Sequence, residues 1–343
     1  MKDLALEVLT GSGVALPLVV FLFTGGVVFV IATRLSRHAD AISDATGLGR
    51  VWIGTVLLAG ATSLPELTTD VSAATMGAID IGVGDLMGST LANMLILALL
   101  DLVFARRQIL QRAAVDHALA ATLAIVLTSI AGIAIASDGF GRIASVGVDT
   151  ILIMVVYLFG MHAVYSAAQV TRPAPTEQLE LGESSRTLLR SGVRGMVLAA
   201  VGLLITAPLL VVAAEAIALE AGLSQSFVGT TLVGVTTSFP EIAASIAAVR
   251  MGAPDLAVGN IFGSNAFNMC VLFAMDVAYV DGPVLAAASD AHVPSSQVAV
   301  LAMALGMMAI LARSQRRPTL VRVESLLIVA SVAGAVWLVA ARP

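Results

Sequence analysis

Apolar runs of about 20 residues, each long enough to cross a hydrocarbon core ~30 Å thick, recur along the whole of this 343-residue chain. That recurrence limits the fold more than any single motif does. A backbone in lipid must satisfy its own polar groups, which leaves helices or closed barrels, and runs of this length are helical. Composition agrees: 58% of residues are hydrophobic, 12% are charged, and the mean hydropathy is +0.98. A soluble domain needs roughly a quarter of its residues charged.

Breaks at charged and turn-forming residues divide the runs into ten predicted helices, at 14–46, 48–76, 80–103, 115–136, 148–168, 195–221, 223–249, 254–275, 296–312 and 323–341. The first and sixth are long, running past Asp40 and Glu215 toward stops at Gly47 and Gly222. The first run lacks a clear cleavage site and reads as a retained span. The stretch 171–194, with Pro173, Pro175, Glu177, Glu180 and several Arg, reads as a polar link between residues 1–170 and 195–343. With the N-terminus outside, fifteen of the 18 basic residues fall on the cytoplasmic side, as the positive-inside bias requires. Both termini are then extracytoplasmic.

The chain also repeats itself. Residues 47–101 and 222–276 align without a gap at an offset of 175, with 22 of 55 positions identical. The matches are mostly Gly, Pro and polar residues, not the Ala, Val and Leu that low complexity would match by chance. Five helices per half make the second copy enter from the opposite side, an arrangement many secondary transporters use around a midplane site.

Each copy holds a Thr-Ser-x-Pro-Glu run, Thr62 to Glu66 and Thr237 to Glu241. Proline inside a span removes a backbone donor and displaces the carbonyl four residues back. Carbonyls near Ala59 and Thr62, and near Gly234 and Thr237, are expected to be freed toward a cation. Glu66 and Glu241 add hard oxygens suited to Ca²⁺ or Na⁺. The following helix of each copy carries a stripe at four-residue spacing: Asp85, Ser89, Asn93 and Asn260, Ser264, Asn268. Gly84, Gly88, Gly259 and Gly263 beside the stripes permit close helix approach. Single Ser and Gly residues are explained equally well by packing. A mid-span carboxylate is costly and points to a ligand or pathway, and no Lys or Arg lies within either broken helix to neutralise it.

Other chemistries lack support. Cys270 is the sole cysteine, which excludes an intrachain disulfide. His38, His117, His162 and His292 show no metal-binding spacing and read as packing or interfacial residues. No basic patch suits nucleic acid. No hydrolase elbow or phosphate loop suits an enzyme or an ATP-driven pump. Asp40, Glu215, Asp101 and Asp276 read as residues at helix ends.

At these residues the chain resembles the calcium/cation antiporter superfamily, in particular its sodium–calcium exchanger branch. The resemblance rests on G-T-x-L-x-x-x-x-T-S-x-P-E followed by G-(N/D)-x-x-G-S-(N/T)-x-x-N, present twice. It implies an all-α membrane fold of ten helices in two inverted five-helix repeats. It also implies one central cluster that holds Ca²⁺ or several Na⁺ as transported ions, with no cofactor. Carried over by motif position, the cation-binding residues are Glu66, Glu241, Thr62, Thr237, Ser63, Ser238, Ser89, Ser264, Asn93 and Asn268, with Ala59 and Gly234 through their carbonyls. The long first and sixth helices would slide against this core. The implied protein is a functional monomer whose partners are inorganic cations and the bilayer, and the excess of Arg over Lys with no visible organelle-targeting segment points to a prokaryotic inner membrane. Asp85 and Thr90 stand where the pattern has asparagines, Asp70 adds a further acid, and Asn268 occupies a position that is acidic in some members. Asp85 and Asp70 are therefore possible additional ligands. They leave the coupling ion open between Na⁺ and H⁺, with a passive cation channel as a further alternative.

Overall fold

The computed structural model describes residues 9, 13–46, 49–104, 109–170, 183–220, 234–312 and 322–340. Its long elements are all helices: α1 (Ala15–Thr46), α2 (Arg50–Thr62), α3 (Leu64–Thr75), α4 (Ile79–Val103), α5 (His117–Ala136), α6 (Val148–Val170), α7 (Glu183–Glu220), α8 (Gly234–Thr237), α9 (Phe239–Arg250), α10 (Pro254–Ala278), α11 (Val293–Leu311) and α12 (Val323–Ala340). A two-residue hairpin, β1 (Arg142–Ile143) and β2 (Val146–Gly147), joins α5 to α6.

Among the described residues seven helices are long and apolar enough to span a membrane, and the bent pair α2–α3 makes an eighth. Helix occupies each of the ten expected positions. The expected seventh span is described only from Gly234, and the expected stops at Gly47 and Gly222 lie outside the described residues. One boundary differs. α7 begins at Glu183, inside the stretch expected as a polar link, because Leu189, Gly192 and Met196 turn one face toward α1. Gly192 and Gly195 lie directly on Ile42 and His38 of that helix.

Burial separates centre from periphery. The most apolar windows of α4 and α10 are 72% and 67% buried, against 28% for both α1 and α7. α4 and α10 therefore run through the middle of the bundle. The long α1 and α7 pack against each other at its edge, exposing residues such as Leu22, Phe23, Leu198 and Ile205. A bond from Ser36 Oγ to the Ala244 carbonyl, 2.7 Å, holds α1 to α9.

The glycines beside the stripes let α10 cross α2 backbone to backbone. A Cβ added to Gly263 would lie 2.2 Å from the Thr55 carbonyl oxygen, and one on Gly54 would lie 2.9 Å from that of Leu256. α2 is wound as a π-helix over Ile53–Leu58, where it meets α10. Such widened turns cluster at functional sites.

Asp101 and Asp276, expected as boundary residues, sit at helix ends but are buried anchors. Asp101 accepts from Leu110 N and Ser325 Oγ and pairs with Arg322, tying α4 to the start of α12. Asp276 accepts from Val284 N, Gly147 N and Thr150 Oγ1, tying α10 to the start of α6. Burial without a partner would cost each carboxylate several kcal/mol, so these donors explain why both sit inside. Asp40 is not left to solvent alone: Arg50 Nε lies 2.6 Å from it, across the turn between α1 and α2.

Candidate cation site

The two Thr-Ser-x-Pro-Glu runs break their helices at Ser63 and Ser238, whose φ/ψ of −88/11° and −76/5° leave the helical region. Pro65 and Pro240 then stand in the first turns of α3 and α9, where a missing N–H costs nothing. α2 and α3 meet at a 46° bend. Glu66 and Glu241 follow in those same first turns, at the positive ends of the helix dipoles.

One expectation needs correction. The Ala59 and Gly234 carbonyls are not freed by the prolines, because they lie six residues upstream. Ala59 O accepts from Ser63 N at 3.0 Å and Thr62 Oγ1 at 3.1 Å. Gly234 O accepts from Ser238 N, Thr237 Oγ1 and Ser89 Oγ at 3.2–3.3 Å. The hydroxyls crowd around these carbonyls instead of leaving them bare.

Side chains from both repeated blocks converge. Thr62 Oγ1 donates to Asn260 Oδ1 at 3.1 Å and lies 3.5 Å from Ser264 Oγ. Thr237 Oγ1 donates to Asp85 Oδ1 at 3.1 Å and lies 3.1 Å from Ser89 Oγ. These pairs correspond across the 175-residue offset, with Asp85 in the place of Asn260. Ser63 and Ser264 both donate to Glu241 Oε1, at 3.1 and 3.3 Å. Asn93 Nδ2 bonds Asn265 Oδ1 at 2.9 Å, joining the two central helices α4 and α10 directly.

All these side chains are fully buried. Both oxygens of Glu66, Oε2 of Glu241, Oγ of Ser238 and the amide atoms of Asn268 have no hydrogen-bond partner. Among the described residues no Lys, Arg or His pairs with Glu66, Asp70, Asp85 or Glu241. Nor do three or more Asp, Glu, His or Cys close on one point. The cluster therefore offers two glutamates, the Asp85 carboxylate and many neutral oxygens. That donor set is hard and all-oxygen, which suits Ca²⁺ or Na⁺ and not a transition metal.

Thirteen expected ligand and additional positions (Thr62, Ser63, Glu66, Asp70, Asp85, Ser89, Asn93, Thr237, Ser238, Glu241, Ser264, Asn268 and the Ala59 backbone), together with Gly234, are all buried in the two repeated blocks. Sequence reading placed Asn260 in the polar stripe without naming it a ligand, and missed Asn265 and Ser245 as members of the network. Asn260 and Asn265 were visible as motif asparagines, and Ser245 only as the counterpart of Asp70.

Comparison with known proteins bears on this geometry. The sodium/calcium exchanger protein family matches the chain over residues 16–165 and again over 191–341. The chain belongs to that family. This exchanger is thus a multi-pass membrane cation antiporter. It is 28% identical to the putative antiporter CaxA of Alkalimonas amylolytica over 83% of this chain and 88% of that one. It is 29% identical to the inner membrane protein YrbG of Escherichia coli over 74% and 77%. A structure of the sodium-calcium exchanger NCX_Mj aligns with a TM-score of 0.69 at 21% identity, over 96% of this exchanger and the whole of that chain. At that identity the likeness concerns the fold.

Proposed function

We infer that this chain exchanges Ca²⁺ for Na⁺ at one central site opened alternately to the two sides of the membrane. The observation that carries this reading is the pair of buried glutamates, Glu66 and Glu241, at the N-termini of two broken helices, with no cationic side chain paired to them among the described residues. Two carboxylates neutralise one Ca²⁺. Thr62, Thr237, Ser63, Ser238, Ser89, Ser264, Asn93 and Asn268 supply the remaining oxygens, and the Ala59 and Gly234 carbonyls join them when the Thr62, Thr237 and Ser89 hydroxyls turn from these carbonyls to the ion. Sodium ions would use the same glutamates and a different selection of hydroxyls and carbonyls. Because the oxygens are shared, one kind of ion must leave before the other binds, and that competition couples the two fluxes.

The two halves are read as inverted repeats, which place this site at their interface. Reciprocal contacts support the reading. Asp80 Oδ1 lies 3.1 Å from His292 Nε2, and Asp255 Oδ1 lies 3.1 Å from His117 Nε2. Both partners are shifted by 175. Reciprocity of that kind is what a two-fold relation produces. The edge pair α1 and α7, packed mainly on each other, is suited to slide as a unit against the centre. We place the protein in a prokaryotic inner membrane as a functional monomer with both termini extracytoplasmic.

The test is ⁴⁵Ca²⁺ uptake into proteoliposomes with an outward gradient of Na⁺, K⁺ or H⁺ imposed separately. Uptake driven by the Na⁺ gradient supports the reading. Uptake that follows only the pH gradient replaces it with proton coupling. Current down a single ion gradient without a counter-ion replaces it with a channel.

A further inference from the structure

Asp70 and its counterpart in the other half, Ser245, show how the two copies diverge. In the second copy Asn260 Nδ2 donates to Ser245 Oγ at 3.2 Å, a neutral pair between α9 and α10 that satisfies itself. In the first copy the same two places hold Asp85 and Asp70, on α4 and α3. Their carboxyl groups lie within hydrogen-bonding reach of each other, and both residues are fully buried.

This pair lacks what would make it a static structural contact. Both Asp70 oxygens and Asp85 Oδ2 are buried without a hydrogen-bond donor. Only Asp85 Oδ1 is served, by Thr237 and Ser89. No Lys, Arg or His among the described residues pairs with either acid. Two facing carboxylates at this depth repel each other, so the pair either shares a proton or holds a cation between its oxygens. The three unserved oxygens form a hard donor set beside the Thr237 hydroxyl.

We propose that Asp70 and Asp85 form a second cation position, separate from the Glu66–Glu241 pair, that takes one Na⁺. This inference rests on the central cation site described above and adds one monovalent ion to it. The Asp85 oxygen bonded to Thr237 links the two positions, so that ion occupies the flank of the central cluster on the α3–α4 side only. The second half carries a neutral pair there and has no such position.

The experiment counts ions on the purified full-length protein. ²²Na⁺ bound per chain is measured at saturating Na⁺ and without Ca²⁺, at pH 7 and pH 8.5, for the wild type, D70S/D85N and D70N. The double variant installs in the first half the Ser and Asn that already pair in the second. D70N keeps the size of the side chain in case the double variant is poorly folded by gel filtration. We expect the wild type to bind one more Na⁺ per chain than either variant at both pH values. Equal counts overturn the proposal. So does a pair that binds or releases a proton on Na⁺ addition with no change in the Na⁺ count, because the pair is then a proton site. No Ca²⁺ is present, so the count stands apart from the Ca²⁺ flux experiment: failure of gradient-driven uptake sinks the exchange reading without touching the count.

Discussion

At the residue scale the molecule turns on how Glu66 and Glu241 are left. Both are buried in the first turn of a half-helix, yet only Oε1 of Glu241 receives donors, from Ser63 and Ser264. The equivalent hydroxyl, Ser238, has no partner. The two ends of the site are thus chemically alike and differently engaged. Removing one partner from a buried charge pair costs about 3–5 kcal/mol, so Glu241→Gln or Glu66→Gln is expected to weaken Ca²⁺ binding at least about a hundredfold. Calorimetric titration of the purified protein checks it. A ligand that binds only the folded state stabilises it by about 2.7 kcal/mol at a hundred times its dissociation constant. Saturating Ca²⁺ should therefore raise the melting temperature of the wild type by several degrees and leave the double glutamine variant unmoved. An equal shift in both would place the ion elsewhere.

At the element scale the deciding contact is the crossing of α2 and α10. Gly263 faces the Thr55 carbonyl and Ala59 Cβ so closely that no side chain fits, and the obstacle is backbone, which cannot rotate away. Gly263→Ala is expected to push the π-wound segment off α10, lowering stability by about 1–3 kcal/mol and abolishing transport. Gly234→Ala makes the informative contrast. Its added Cβ would meet Gly88 and Ser89 at 3.4 Å or more, an ordinary contact, and the first half already has Ala59 there. That variant should melt within about 0.5 kcal/mol of the wild type. Thermal unfolding in detergent compares the two, and equal effects would mean the crossing is looser than its geometry states. The glycines beside the stripe made a close helix approach foreseeable, though not which helix it meets. The π-winding was not, since nothing in Ile53–Leu58 breaks an ordinary helical pattern.

At the scale of the whole molecule the two halves are fastened by reciprocal anchors. Asp101 holds the start of α12 through Arg322 and Ser325, and Asp276 holds the start of α6 through Gly147 and Thr150. Gly147 and Arg322, like Thr150 and Ser325, differ by 175. Each half therefore closes on the other, at the ends of α4 and α10 beyond Asn93 and Asn268. Asp276→Ala would strand Val284 N, Gly147 N and the Thr150 hydroxyl at roughly 1 kcal/mol or more apiece. A loss of about 3 kcal/mol in stability is expected, with the Ca²⁺ dissociation constant changed less than about threefold in the protein that remains folded. Melting curves together with calorimetry separate these outcomes. A large affinity change would show that the anchor couples to the site.

The sequence by itself determined the spanning helices, the repeat and its offset, and the residue types that gather at the centre. Each follows from local physics: apolar length against bilayer thickness, four-residue spacing on a helix face, proline at a break. It also held the correspondence of His117 and His292 at the same offset, beyond the end of the repeated block. Only the tertiary structure decided which faces meet. Thr62 reaches Asn260, Thr237 reaches Asp85, Asp70 stands against Asp85, and the two boundary aspartates turn inward to donors from distant helices. Periodicity fixes the direction a side chain takes from its own helix. The partner it finds depends on where another helix crosses, and that is set by glycine-permitted backbone contact spread over the whole bundle.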